Sequence, residues 1–268
     1  MKTKKISEGL CICIPTCRDN IEASSLDSVM VGIANQTILP GTIYLRDEGN
    51  FECFKKSSTR MLWNLLSALG IKTIYLRSRA RRGVANARKE LADLIKDESY
   101  VLWLDDDMVM DYKTIEVLLD ILESDPQTGF VQGQKIELNP LREYHNDINQ
   151  LNGSNEDLHT VNPFPIYFGD AALLMMRCSA MKKHIDWATV TKYSMEGLAG
   201  EDVAMSLMIA DKLPCLAVPQ ALGWHISPEK ERWNWESSSD VLQIELLKGI
   251  VSDRTLELAL PHLKNQFS

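Results

Sequence analysis

The chain has neither the cysteine spacing of a zinc finger nor an apolar run long enough for a membrane. Its six cysteines form no CxxC pair, and finger-type zinc sites need such pairs. No window approaches the roughly 20 apolar residues that span a bilayer. The N-terminus MKTKKISEGL also lacks the apolar core of a signal peptide. We therefore expect reduced cysteines and a cytoplasmic protein without a transmembrane segment, for which peripheral membrane contact stays open.

A surplus of basic residues is also absent. The net charge of −8 argues against a nucleic-acid partner, because phosphate backbones attract basic surfaces. An apolar share of 45% in 268 residues is enough for a packed core. The length corresponds to one large domain or two small ones.

The first half of the chain alternates strand and helix patterns. Apolar strand runs at 10–14, 42–45, 72–76 and 100–104 are separated by amphipathic helical patterns. This alternation predicts an α/β fold with a mainly parallel central sheet and helices on both faces. In such sheets, ligands bind beyond the carboxyl ends of the strands.

Three consecutive carboxylates follow the fourth predicted strand. Asp105, Asp106 and Asp107 come directly after an apolar run, and their mutual repulsion is unfavourable unless a cation lies among them. Oxygen-rich sites suit Mg²⁺ or Mn²⁺, which share their coordination with substrate phosphates. If the strand continued, Asp105 and Asp107 would point the same way. A solvated acidic turn is the alternative.

Three further motifs have a structural and a functional interpretation. Gly200-Glu201-Asp202 precedes an amphipathic helix, where acids favour the helix dipole or supply a general base. His225 is either an ordinary edge histidine or a metal ligand. A basic cluster before Gly83 either lies in solvent or neutralises a diphosphate; it comprises Arg79, Arg81 and Arg82.

The order of these motifs over residues 10–226 resembles the GT-A fold glycosyltransferases of family 2. The resemblance rests on Cys13-Ile14-Pro15-Thr16-Cys17-Arg18, Asn35-Gln36-Thr37, Arg46-Asp47-Glu48-Gly49-Asn50, Gly83-Val84-Ala85-Asn86-Ala87-Arg88, Asp105-Asp106-Asp107, the segment from Gly169 to Arg177 and Gly200-Glu201-Asp202. The third of these is similar to the family's "DDGS" turn, the fifth to its DxD motif and the last to its ED motif. Glu48 and Arg18 depart from the Asp and Asn that are usual in the family.

The resemblance implies a Rossmann-like nucleotide-diphospho-sugar transferase fold and an inverting, metal-dependent transferase of the hexosyltransferase type. The implied nucleotide-sugar site comprises Pro15, Thr16, Arg18, Asp47, Glu48, Arg79, Arg82, Asp105 and Asp106. Asp107 and His225 would hold Mn²⁺ or Mg²⁺, Asp105 would contact the ribose, and Asp202 would be the base. Gly169, Asp170 and Glu201 would lie on the acceptor side.

The expected donor is a nucleotide-diphosphate sugar, with a UDP-sugar favoured. The acceptor hydroxyl belongs to a glycan, a lipid-linked sugar, a protein or a small molecule. We expect a GT-A catalytic domain over residues 1–226, with a nucleotide-binding half at 8–125 and an acceptor half at 126–226. A helical C-terminal extension is expected over 227–268.

Two alternatives remain at this point. The segment Asp105-Asp106-Asp107-Met108-Val109 fits the DxDx(T/V) signature of haloacid-dehalogenase-like phosphatases, although at least three predicted strands precede it. That signature normally ends the first strand of the phosphatase core. The other alternative is a catalytically inactive protein that binds nucleotide sugars.

Overall fold

The structure is a computed structural model that describes residues 4–17, 25–137, 161–195, 200–226 and 247–259. The strands are β1 (Lys5–Thr16), β2 (Ile38–Asp47), β3 (Lys72–Arg77), β4 (Tyr100–Leu104), β5 (Met108–Met110), β6 (Phe130–Glu137), β7 (Phe164–Pro165), β8 (Leu173–Arg177) and β9 (Cys215–His225). The helices are α1 (Leu26–Asn35), α2 (Ser57–Ala68), α3 (Val84–Leu94), α4 (Thr114–Ser124), α5 (Cys178–His184), α6 (Trp187–Met195) and α7 (Glu201–Ala210). The α/β alternation predicted for the first half is confirmed.

One mixed sheet organises the described residues. Its strand order is β3-β2-β1-β4-β8-β6-β9-β5, and β7 pairs with β9. The first four strands are parallel, as predicted. In contrast, β8 runs antiparallel to both of its neighbours, β4 and β6. Strands β4 and β6 are therefore parallel to each other, with the antiparallel β8 between them, and the chain passes from one to the other through α4. The second half of the sheet is thus mixed rather than mainly parallel.

Alternating side chains of β1 divide the core between the two faces of the sheet. Cys11 and Cys13 are fully buried in a cluster with α3, α5, α6 and α7. Leu10, Ile12 and Ile14 pack on the opposite face with α1, α2 and α4. This division follows from the two-residue period of a strand. The predicted helices on both faces are thus confirmed, and both cysteines serve as buried apolar residues.

The described part of the predicted C-terminal extension packs against the same body. Leu247, Val251 and Leu256 are buried in the cluster that contains α5, α6 and α7. Asp211, just after α7, accepts hydrogen bonds from Ser252 N at 3.0 Å and Thr255 Oγ1 at 2.8 Å. The segment therefore continues the core, and the predicted boundary at residue 226 stays a prediction. Among the described residues, no helix has both the length and the apolar character that crossing a bilayer requires.

Candidate active site

The carboxyl ends of the first strands meet at one edge of the sheet. Thr16 lies opposite Asp47 in the β1–β2 pairing, and Asp47 lies opposite Arg77 in the β2–β3 pairing. Thr16 Oγ1 donates a hydrogen bond to Asp106 Oδ2 at 2.5 Å. The polar ends of β1 and β2 and the aspartate turn after β4 therefore lie together. Arg18 lies outside the described residues, so its predicted contact stays a prediction.

The three consecutive aspartates have three different surroundings. Strand geometry stops at Leu104, and a turn follows in which Met108 N donates to Asp105 O at 3.2 Å. The strand therefore does not continue through Asp105 and Asp107, because the turn replaces the alternation of side chains that would have pointed them the same way. Asp105 faces Arg88, while Asp106 is buried against Thr16. Asp106 thus has a structural contact that the sequence did not indicate.

Asp107 and His225 form the candidate metal centre. Both are buried, and Asp107 Oδ1 lies 3.1 Å from His225 Nε2. Pairing of β5 with β9 brings them together. Two adjacent ligands of an octahedral ion, each at about 2.1 Å, are about 3 Å apart, so the donor set and its spacing fit a divalent ion. Within the described ranges, no group of three or more His, Cys, Asp or Glu side chains is placed to hold a metal ion.

The Gly169–Asp170 segment connects the aspartate turn to the second half of the site. Ala172 O accepts a hydrogen bond from Asp105 N at 3.2 Å. A Cβ on Gly169 would lie 2.6 Å from Gln132 Oε1 and 2.9 Å from Leu174 Cδ1, so a larger residue here would displace neighbouring side chains. Burial acts to raise the pKa of Asp170, but the adjacent Lys135 ammonium outweighs it and holds the pKa at about 2.

Glu201 and Asp202 form the first turn of α7. Gly200 precedes them with a φ of +97°, a backbone conformation that favours glycine. Asp202 is half-buried, and it accepts hydrogen bonds from Val203 N at 2.8 Å and Ala171 N at 3.4 Å. Burial and the neighbouring carboxylates of Glu201 and Asp170 raise the pKa of Asp202 to about 8. A carboxylate with such a pKa is a far stronger base than ordinary aspartate.

The Asp47 carboxylate holds the turn after β2. The carboxylate is buried and accepts four hydrogen bonds of 2.8–3.0 Å. Its Oδ1 accepts from Gly49 N and Arg77 Nη1, and its Oδ2 accepts from Cys53 N and Tyr75 Oη. These four donors occupy the lone-pair positions of an ionised carboxylate. A direct contact from Asp47 to a nucleotide would therefore replace one of them, and the predicted contact stays a prediction.

The basic cluster after β3 lies at the surface beside this turn. Arg82 N donates to Glu48 Oε2 at 3.0 Å, and the Arg82 side chain pairs with Glu90. Glu48 is buried and also lies 3.4 Å from Arg46. Arg79 is exposed. The side chain of Arg82 already has a carboxylate partner, so a diphosphate would compete with Glu90 for it.

Two cations in the site were missed as functional residues. Arg88 bridges Asp105 and Glu201, although the sequence indicated it only as part of a helix-start motif. Lys135 pairs with Asp170. Lys135 lies in a strand that also contains Gln132 and Gln134, so its side chain did not stand out in the sequence. Arg88 did not stand out either, because its partner Glu201 is 113 residues away.

This sheet, with acidic strand ends and a carboxylate at the start of α7, defines the GT-A class of fold. The profile described as "Glycosyl transferase family 2" matches residues 11–185, more than half of the 268-residue chain. The chain belongs to glycosyl transferase family 2, and this supports a transferase over the phosphatase alternative. A comparison with curated protein sequences gave no match.

Solved structures of low sequence identity share the fold. A fragment of S. aureus TarS, residues 1–349, matches with a TM-score of 0.63 and 10% identity, covering 96% of this chain and 71% of that one. The same fragment in complex with UDP gives 0.57 and 9%, covering 80% and 59%. GalNAc-T7 with UDP, GalNAc and Mn²⁺ gives 0.59 and 16%, covering 96% of this chain and half of that one.

Proposed function

We propose that the protein is an inverting, divalent-metal-dependent hexosyltransferase that uses a nucleotide-diphosphate sugar, with a UDP-sugar favoured. The observation that carries the proposal is the connection between the aspartate turn and the raised-pKa carboxyl of Asp202 through the 169–172 segment. UDP in the TarS complex, and UDP, GalNAc and Mn²⁺ in the GalNAc-T7 complex, support this choice of donor and metal. The cysteine content supports a cytoplasmic location.

In this proposal, the donor lies across the strand ends of β1, β2 and β4. Thr16 and Asp106 lie beneath the donor and are hydrogen-bonded to each other. Asp105 accepts a hydrogen bond from a ribose hydroxyl. Asp107 and His225 would hold a Mn²⁺ or Mg²⁺ ion. When bound, the ion would act as a Lewis acid that offsets the charge developing on the leaving nucleotide diphosphate.

Asp202 takes the proton of the acceptor hydroxyl as that oxygen attacks the anomeric carbon. The new C–O bond forms on the face opposite the bond to the diphosphate, which breaks with its electron pair going to the phosphate oxygen. A single displacement inverts the configuration. Inverting hydrolases use a second carboxyl group to protonate the leaving group; here a bound divalent ion would supply that stabilisation, so one carboxylate is enough. Asp170, held ionised by Lys135, faces the acceptor side.

A thermal-shift screen of nucleotide sugars with Mn²⁺ or Mg²⁺ tests the proposal. At a ligand concentration 100 times the Kd, binding stabilises the folded state by about 2.7 kcal/mol, which raises Tm by several degrees. We expect this rise for a UDP-sugar with metal and a smaller one with metal omitted. A flat response to every nucleotide sugar would contradict the proposal, while binding without hydrolysis or transfer across many acceptors would favour the inactive binding protein.

The pH dependence of turnover should follow the proton on Asp202. Because the pKa of Asp202 is raised to about 8 by burial and by Glu201 and Asp170, the carboxyl is protonated below that pH and cannot act as a base. We expect kcat to rise about tenfold for each pH step of one on the acid side and to level off above about pH 8. The measurement is kcat at saturating donor from pH 5.5 to 9.5. A rate independent of pH over this range would exclude Asp202 as the base.

A further inference from the structure

Arg88 is a buried cation between the two halves of the candidate site. It lies in α3 with 3% of its side chain exposed. Its Nη2 is 3.1 Å from Asp105 Oδ1, and its Nε is 3.4 Å from Glu201 Oε1. Asp105 belongs to the donor side, whereas Glu201 is the residue before the proposed base. One guanidinium therefore contacts both sides.

The surroundings of Arg88 favour arginine over lysine. The guanidinium carbon lies over the Trp103 ring, 5.6 Å from its centre, which adds a cation–π contact. A planar fork can point separate N–H groups at two carboxylates, whereas a lysine ammonium is a compact point charge. Burying an arginine costs free energy unless it is paired. At this position the planar shape of the guanidinium therefore matters as well as its positive charge, because one side chain has to contact two carboxylates.

One nitrogen of the Arg88 guanidinium takes no part in these contacts. Among the described residues, Nη1 of Arg88 is a buried donor with no hydrogen-bond partner. Buried donors are generally satisfied in folded proteins. The unused N–H group lies on the same guanidinium that contacts Asp105 and Glu201, at the junction of the donor and acceptor sides.

We propose that Arg88 is a positioning residue that couples donor binding to the base by fixing Glu201, and with it the first turn of α7, relative to Asp105. The inference rests on the proposed function for the roles of Asp105 and Asp202. Donor contact at Asp105 then constrains Arg88, Arg88 constrains Glu201, and the Asp202 carboxyl stays aligned for the acceptor. Losing the bridge misaligns the base without removing it.

The charges around Asp202 support this coupling. Glu201 on α7 and Asp170 from the preceding segment raise the pKa of Asp202, while Arg88 from α3 lowers it. Lys135 and His225 lower the pKa of Asp170. Arg88 is thus a cation that directly lowers the pKa of the base, and its removal would make Asp202 harder to ionise.

The kinetic test compares Arg88→Lys and Arg88→Gln with Lys89→Gln. Lys89 is the next residue on α3, but its ammonium points to the surface and pairs with Asp93. We expect kcat to fall roughly tenfold in Arg88→Lys and 100-fold in Arg88→Gln, since small misalignments have effects of this size. The acid limb of the kcat profile should also move to higher pH in Arg88→Gln. A purely structural role would lower the amount of folded enzyme without moving that limb.

A second measurement does not depend on turnover. Carboxyl ¹³C NMR of the donor-free protein follows the titration of Asp202 directly. In Arg88→Gln we expect the midpoint to move to higher pH by roughly one unit, with little change in Lys89→Gln. An unchanged midpoint in folded Arg88→Gln would overturn the proposal. Arg88→Lys keeps the positive charge and provides the folded comparison if the glutamine variant is unstable.

A double-mutant cycle tests the coupling itself. Glu201→Gln should weaken nucleotide-sugar binding severalfold through Arg88, and this effect should disappear in the Arg88→Gln background. Additive effects would overturn the coupling. If the wild type binds no nucleotide sugar, the proposed function fails, and the Asp202 titration still decides whether Arg88 controls that carboxyl.

Discussion

Replacing Asp202 with asparagine should lower the turnover of sugar transfer by roughly 10²- to 10⁴-fold while leaving nucleotide-sugar binding nearly unchanged. An amide keeps the size of the side chain and still accepts a hydrogen bond from Val203 N, which lies 2.8 Å away in the wild type. It has no lone pair basic enough to take the acceptor proton. The measurements are kcat by product formation and donor affinity by calorimetry.

The stability of Asp202→Asn separates a catalytic role from a structural one. The folded-state pKa of Asp202 is about 8, against an ordinary aspartate pKa of 3.8. The folded protein therefore holds a proton that the unfolded chain releases, and the stabilisation from this group is lost as pH rises from about 4 to about 8. Asparagine stays neutral throughout, so we expect the variant to be at least as stable as the wild type at pH 9.

The control for this variant is Asp93→Asn. Asp93 lies on the exposed side of α3, where it pairs with Lys89, and exposed pairs of this kind contribute little to stability. It should keep full activity. Loss of donor binding or a lower Tm in Asp202→Asn at alkaline pH would assign a structural role to Asp202.

Local patterns predicted most elements of the first half because propensity and burial agree there. The apolar run at residues 100–104 becomes β4 with the same bounds. Gly70 follows α2 with a φ of +92°, the left-handed conformation in which glycine commonly ends a helix. The convergence of strand ends also follows from the parallel order, because parallel strands place their carboxyl ends on one edge.

The second half was harder to predict because its signals overlap. The apolar residues of β8 run without a turn signal into those of α5, so one pattern covers a strand and a helix. The insertion of β8 between β4 and β6 is a matter of pairing over long distances. Local periodicity specifies which residues are buried but not which strand lies next to which.

The pairing of charges was the least predictable part of the site. Sequence order suggested a role for each acid but not for the cations that hold them. Arg88 meets Glu201 and Lys135 meets Asp170 only after the sheet has formed. Buried carboxylates require such partners, so their presence was expected in principle while their identity depended on the fold.

Loss of either proposed metal ligand should remove most of the metal-dependent part of nucleotide binding. In Asp107→Asn the side chain keeps its size and can still hydrogen-bond to His225, which lies 3.1 Å away, but it loses the charge that a divalent ion needs. His225→Gln keeps a polar group and removes the imidazole donor. Losing an outer partner of a ligand already costs roughly 10- to 100-fold in metal affinity, so we expect losses at the upper end of this range or beyond.

The measurement is the rise in Tm on adding UDP, with and without Mn²⁺, in each variant. His184→Gln serves as the control because His184 lies in the last turn of α5 and is not one of the proposed ligands. It should respond to metal as the wild type does. Asp107 and His225 come from different strand ends. If both hold one metal, replacing either residue should lower UDP binding by the same amount. The double variant should then bind UDP no more weakly than either single variant. An unchanged metal-dependent rise in Asp107→Asn would place the ion elsewhere in the acidic turn.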